Sequence, residues 1–356
     1  LSYIRLTIEC IDNVKITMIE HFEVKMHKLK ILICTLSLFT LSACQNVQKN
    51  NKIIAKAFDT STHFQRYLMD KHAPENVIVS NNIAYQEQPK LSLDLYQAKD
   101  IQHVEKRPTV IWIHGGGWIS GAKDNARGYF KLLAAQGYNV VSVQYQFAPQ
   151  AIYPTQLYQI NNALRFIQQN AKQYHIDADQ LFLAGDSAGA NLASHYAALL
   201  TNPNFAIESG FTASIQTSQL KGLILHCGIY DMNAFINTAP DEIKLIEWGV
   251  NNLVQAYTGN QKDNPEYLKR LSPIQHLTKD YPPVFISGGN KDFLTDTQSI
   301  PFVKALQEKQ IPVQAVFYPE SKEWLVHEYQ FFLGKKASQQ TFDQTILFLK
   351  KNVDSK

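Results

Sequence analysis

The segment Leu181-Phe182-Leu183-Ala184-Gly185-Asp186-Ser187-Ala188-Gly189-Ala190-Asn191 constrains the fold more than any other stretch of the chain. Its apolar start, Leu181–Ala184, reads as a buried strand, and Ala190 to Leu200 reads as a helix. Glycines at 185 and 189 and an alanine at 188 occupy the turn between them. Small residues there let strand and helix approach closely. Such a turn holds the Ser187 hydroxyl clear of the sheet, at a helix N-terminus whose dipole favours developing negative charge. An incidental serine in a glycine-rich turn has the same local pattern. The rest of the chain must therefore supply a base, an acid and an oxyanion site.

The surrounding pattern is one of alternation. Val77–Ala84 and Leu91–Tyr96 read as strands, followed by Thr109–Ile113, Val140–Tyr145, Leu181–Ala184, Gly222–Ile229, Pro283–Gly288 and Val313–Tyr318. Helical patterns fall between or after them at Asn125–Gln136, Pro154–Tyr174, Pro301–Gln310 and Thr341–Asn352. Strands that are apolar throughout and alternate with helices predict an α/β fold. We expect about eight strands in a mostly parallel sheet with helices on both faces. Residues 201–220 and 231–275 break the alternation. The second stretch is helical in pattern, carries Trp248 and Tyr257, and sits between two core strands. It reads as a helical cap over the C-terminal edge of the sheet, where ligands bind in open α/β folds.

Of 356 residues, 45% are hydrophobic, enough for a large core, and the net charge of +3 with no basic run argues against a nucleic-acid partner. Four cysteines at uneven spacing give neither a disulfide framework nor a metal-ligand pair, and no metal or cofactor is expected. The N-terminal part is read separately. Residues 1–25 show no period and are taken as upstream extension. From Met26 a basic start with Lys28 and Lys30 leads into the apolar run Ile31 to Ala43, too short to span a bilayer. Leu41-Ser42-Ala43-Cys44 resembles a bacterial lipobox, making 26–43 a signal peptide and Cys44 an acylated mature N-terminus. Gln45 after it implies, by the same resemblance, outer-membrane sorting of an exported lipoprotein. Cys10 and Cys34 are then lost, Cys227 remains unpaired, and residues 44–75 form a tether followed by a helix. The globular domain is expected over 76–356; nothing in the sequence fixes an oligomeric state.

His114-Gly115-Gly116-Gly117-Trp118 follows the strand Thr109–Ile113. Three glycines at a strand end expose backbone N–H groups, as an oxyanion hole requires. A phosphate loop would need spaced glycines with a following lysine and Ser/Thr, which are missing. Gly115 and Gly116 are the expected donors, with the N–H of Ala188 completing the set and Gly117 serving the turn. This glycine loop upstream of Gly185–Gly189 resembles the α/β-hydrolase fold. Within it, the two motifs resemble the hormone-sensitive-lipase-like carboxylesterases over residues 75–350. Tyr145-Gln146-Phe147-Ala148-Pro149 resembles a further family segment, with Gln144 and Gln146 in place of its acidic and basic residues.

That fold places the acid after the serine and the histidine last. Asp292 maps to the first aspartate of the family's acidic pattern, and Asp296 is expected to cap the next helix. Asp231 and Glu323 are alternatives for the acid. Among the histidines only His327 follows Asp292, and it follows a strand by a short loop. The family resembled usually has glycine after this histidine; here Glu328 stands there. The resemblance implies a serine carboxylesterase using Ser187, His327 and Asp292 on small to medium acyl esters. An arylformamidase or amidase on the same fold is an alternative. A catalytically inactive binding lipoprotein is another.

Overall fold

The eight apolar runs assemble into one sheet with strand order β1-β2-β4-β3-β5-β6-β7-β8, where β1 is Val77–Gln86, β2 Leu91–Ala98, β3 Arg107–Ile113, β4 Asn139–Val143, β5 Ile176–Asp186, β6 Leu220–His226, β7 Val284–Gly288 and β8 Val313–Phe317. The structure is a computed structural model that describes residues 47–103, 105–237 and 244–353. The expectations for 1–25, for the signal peptide 26–43 and for Cys44 lie outside these residues. β1 and β2 run antiparallel at one edge, and every pairing from β4 to β8 is parallel. The α/β-hydrolase architecture expected from the alternation and the motifs is borne out.

Side-chain alternation along the strands divides the core in two. Ile111, Ile113, Val141, Val143, Leu181, Leu183, Leu223 and Leu225 face one layer. That layer holds α3 (Thr155–Gln169) and α4 (Ala188–Thr201), through Leu157, Ile160, Leu192 and Tyr196. Val110, Trp112, Val140, Phe182, Ala184, Ile224 and Phe285 face the other. There they meet α2 (Arg127–Ala135) and α10 (Lys336–Asn352), through Tyr129, Phe130, Leu133, Phe348 and Leu349. Burial on both faces is why these strands are continuously apolar. A short α5 (Pro203–Glu208) precedes β6, and α9 (Ile300–Glu308) lies between β7 and β8.

Between β6 and β7 run α6 (Met232–Asn237), α7 (Lys244–Thr258) and α8 (Pro265–Arg270), in the region expected to form the cap. A fourth helix joins them. α1 spans Val47–Asp70 and is helical from its first described residue, so from Val47 onward there is no extended tether. Asn50 Nδ2 donates to Asn252 Oδ1 on α7 at 3.0 Å, and Ile54 enters the same core as Leu253 and Val254. The cap packs on the sheet through aromatic contacts. Trp118 stacks on Tyr257 with ring centroids 4.5 Å apart and meets Phe235 edge-on. Among the described residues no helix is long and apolar enough to cross a membrane.

Candidate active site

Ser187 sits between the last residue of β5 and the first of α4, with φ 52° and ψ −121°. A non-glycine residue held there costs on the order of 1–3 kcal/mol. The neighbours hold it. The Ser187 N–H donates to the His226 carbonyl at 2.9 Å, and the Asn191 N–H returns to the Ser187 carbonyl at 3.2 Å. Asn191 Nδ2 also donates to the Ile229 carbonyl, tying the start of α4 to the end of β6. The glycines are a steric necessity. A Cβ at Gly189 would lie 1.9 Å from the Ile113 carbonyl oxygen, and one at Gly185 would lie 2.4 Å from the Gly189 backbone. Ala188 is the first residue of α4, so its N–H belongs to the unpaired first turn that attracts negative charge.

The glycine loop leaves β3 next to this turn. Buried His114 donates from Nδ1 to the Gly115 carbonyl at 2.8 Å and stacks on Tyr145, whose hydroxyl donates to the His114 carbonyl at 2.9 Å. Burial lowers the His114 pKa to about 4, so the ring is a neutral structural brace. Asp186 supplies the second brace, one the sequence reading did not assign. Its Oδ1 accepts from Trp112 Nε1 at 2.7 Å, and its Oδ2 accepts from the Gly115 N–H at 2.8 Å. This corrects one expectation: the Gly115 donor is committed to Asp186 and does not face a reacting carbonyl. Gly116 has φ 108°, and a Cβ there would meet the Ser120 carbonyl at 2.4 Å. Gly117 has φ 58° and lies beneath the cap, where an added Cβ would meet Leu253 at 2.6 Å and Phe58 at 3.1 Å. Burial, and then the charge of nearby Glu328, push the Asp186 carboxyl well above the usual carboxylate range.

Asp292 follows β7 and His327 follows β8, and the structure joins them directly: His327 Nδ1 donates to Asp292 Oδ2 at 2.8 Å. Asp292 Oδ1 accepts the Leu294 N–H at 3.0 Å. Asp292 therefore caps the following helical turn itself, whereas Asp296 lies exposed within that turn and does not cap it. Gly289 lets the histidine loop dock, since a Cβ there would lie 2.1 Å from the Leu325 carbonyl oxygen. Glu328 adopts the left-handed conformation, φ 59°, that glycine would take without strain. Its carbonyl accepts Gln65 Nε2 from α1 at 3.3 Å, so the N-terminal helix braces the histidine loop.

The alternatives for the acid are engaged elsewhere. Asp231 Oδ1 accepts the Ala234 N–H at the start of α6, and the Glu323 carboxylate accepts the Lys336 and Ala337 N–H groups at the start of α10. Desolvation works against a charged His327 ring, but the neighbouring Cys227 and the Asp292 carboxylate outweigh it and raise its pKa well above 6.5. Cys227 is itself fully buried, and burial pushes its thiol up to about 11, so near neutral pH the attraction on His327 comes from Asp292. Ser187, Asp292 and His327 thus follow β5, β7 and β8 at one edge of the parallel sheet. In chain order they are serine, aspartate, histidine.

Residues 93–306 match the BD-FAE family model. The chain belongs to the BD-FAE family. This family member is 27% identical over 218 residues to the esterase LipQ of Mycobacterium tuberculosis, a match covering 61% of this chain and 49% of LipQ. It is 27% identical over 235 residues to an acetyl esterase of Salmonella dublin, covering 62% of this chain and 65% of the relative. The chain spans about half the length of the mycobacterial relatives it matches. Esterase B from Lactobacillus rhamnosis, solved with a tributyrin phosphonate inhibitor, superposes with a TM-score of 0.74 at 22% identity. That likeness covers 87% of this chain and 96% of the other and establishes a shared fold. A bacterial heroin esterase superposes at 0.67 with 16% identity, over 91% of this chain and 97% of the other. The esterase kinship that the motifs suggested is therefore borne out.

Proposed function

We propose that this BD-FAE family member is a serine carboxylesterase acting on small to medium acyl esters, with Ser187 as nucleophile, His327 as base and Asp292 as the acid that orients it. The observation that carries the reading is the 2.8 Å His327–Asp292 hydrogen bond, formed at the sheet edge that also presents the strained Ser187 turn. Relatives named esterase and acetyl esterase support the same reaction class. Asp292 holds the ring through Nδ1, which leaves Nε2 to accept the Ser187 proton as Oγ attacks the ester carbonyl carbon. The N–H groups of Gly116, Gly117 and Ala188 receive the tetrahedral oxyanion, with Gly115 replaced by Gly117 because its own donor serves Asp186. His327 gives the proton to the departing alkoxide. Water then attacks the acyl-enzyme, losing its proton to His327, and Ser187 is released with that proton restored.

Cap aromatics around Gly117 and Trp118 would contact the acyl group, which suits apolar chains better than charged ones. On the same reading Cys44 is lipidated and the domain faces the periplasm or cell surface. The first described residue of α1, Val47, lies three positions after that cysteine in the sequence. Radiolabelled palmitate should enter the wild-type protein and not Cys44→Ala; label persisting in that variant would reject the anchor. For the chemistry, Ser187→Ala should lose p-nitrophenyl acetate hydrolysis while keeping its fold. Undiminished turnover in that variant would reject the nucleophile.

A further inference from the structure

Cys227, the residue after β6, has no task in the scheme above, yet it points at the centre of it. Its Sγ, a carboxylate oxygen of Asp292 and a ring nitrogen of His327 all lie within 4.8 Å of one another. Three different strand ends supply these atoms, so no spacing in the sequence foreshadows the set. Cys227 is held in a conformation disfavoured for a side-chain-bearing residue, φ 44°, with its N–H donating to the Ser287 carbonyl at 2.9 Å. It is free, buried and without a disulfide partner among the described residues. The side chains of Cys227 and Asp292 are sequestered, whereas the His327 side chain is 40% exposed and opens the cluster to the cleft.

We infer that Cys227, Asp292 and His327 form an inhibitory site for a borderline-soft divalent cation of the zinc type, captured at the expense of the catalytic hydrogen bond. The donor set of one sulfur, one nitrogen and one oxygen is what zinc accepts in tetrahedral coordination, and a magnesium or calcium ion would decline the thiol. Bonds of about 2.0–2.3 Å at tetrahedral angles put ligand atoms roughly 3.5 Å apart. The separations of at most 4.8 Å therefore have to close by no more than about 1.3 Å, while the 2.8 Å Asp292–His327 contact opens to make room for the cation. On binding, the thiol proton leaves to solvent and the sulfur bonds the metal as thiolate. The Asp292 oxygen turns from His327 Nδ1 to the cation. The ring, bonded through one nitrogen, loses the orientation or the lone pair needed to accept the Ser187 proton. Ester turnover stops without any covalent change, and a chelator restores it. The inhibition follows from the proposed esterase reading, but the binding itself does not depend on it.

Two measurements on the full chain test the site. Cobalt(II) added to Ser187→Ala should give near-ultraviolet thiolate-to-cobalt absorption, and the double variant with Cys227→Ser should lack it. Zinc should inhibit p-nitrophenyl acetate hydrolysis by the wild type reversibly, with the half-inhibiting concentration at least tenfold higher in Cys227→Ser, each protein normalised to its zinc-free rate. Cys227→Ala serves the same comparison if serine disturbs the buried turn. Equal zinc sensitivity with and without the thiol would overturn the site, as would a wild type that zinc does not inhibit. A cobalt spectrum unchanged by removing Cys227 would do the same. Because the cobalt arm needs no turnover, it separates failure of the site from failure of the esterase reading.

Discussion

The C-terminal edge of the sheet and the cap above it are built on opposite terms. At the edge, backbone approaches backbone: Gly189 against Ile113, Gly185 against Gly189, Gly289 against Leu325. No side chain can be added there; Ser187 inherits its position from the end of β5, Asp292 from the loop after β7, and His327 from a loop that docks on Gly289 and is braced by Gln65. In the cap, contact is made by side-chain ends, with Leu253 and Phe58 over Gly117 and Phe235 and Tyr257 against Trp118. Such contacts can be exchanged without moving the sheet. On the proposed reading, the contrast puts the chemistry at the edge and the choice of substrate in the cap.

The sharpest way to break that division is at the edge. Gly189→Val should fail to fold, since its side chain would occupy the space of the Ile113 carbonyl; a soluble variant with a normal melting transition would contradict the close approach. Asp292→Asn should fold and lose about 10⁴-fold in kcat, because the amide cannot hold the imidazole in the required tautomer. The same variant bears on pH dependence. His327 must be neutral to accept a proton, and its pKa lies well above 6.5, so kcat/KM of the wild type should rise with pH through a limb above pH 6.5. Removing the carboxylate should move that limb to lower pH, and an unmoved limb would assign it to another group.

Asp186→Asn tests the brace beneath the glycine loop. An amide accepts from only one of the Trp112 and Gly115 donors, leaving the other buried and unpaired, at a cost of about 1–3 kcal/mol in stability. Denaturant unfolding measures it, and a change below about 0.5 kcal/mol would deny Asp186 that role. Leu253→Ala in the cap should leave the acetate ester rate within about threefold and shift the preference among longer acyl esters by about tenfold. A large loss on every ester would show that the cap also shapes the chemistry.

The smallest effect on turnover, and one read in stability instead, concerns three buried histidines outside the proposed triad. His114 is lowered to about 4, and His195 and His226 to about 3, by burial. The unfolded chain binds protons at these positions below about pH 6.5 and the folded chain does not. Stability from them is complete above that pH and falls as the pH drops towards 4, by up to about 1.4 kcal/mol per pH unit for each ring. Urea midpoints measured from pH 7 to 4.5 should decline, and His226→Phe should flatten the decline.

The central strands β3 to β7 were legible because both faces of the sheet are covered there, which leaves unbroken apolar runs; β2 was legible through its alternation, and the edge strands β1 and β8 are only partly covered. Ser187, Asp292 and His327 were legible as candidates through their order along the chain, and the structure pairs Asp292 with His327. What escaped depends on contacts between distant strand ends. Asp186 carried a faint signal, since an acid locked between small residues before a buried turn must find donors, but Trp112 and Gly115 are more than 70 positions away. Nothing near Cys227 in sequence announces Asp292 or His327. α1 was half visible: Ile54, Phe58, Gln65 and Met69 fall on one helical face, but the polar residues around them suggested a tether. Asp296 was assigned a cap because the helix was taken to start later than it does; Leu294 already donates to Asp292.

The central claim is that Ser187 is a nucleophile activated at this edge. A fluorophosphonate probe followed by peptide mass mapping tests it most directly. The account predicts one adduct per chain, on the peptide containing Ser187, abolished in Ser187→Ala and strongly slowed in Asp292→Asn. An unlabelled wild type, or an adduct on any other serine, would contradict it.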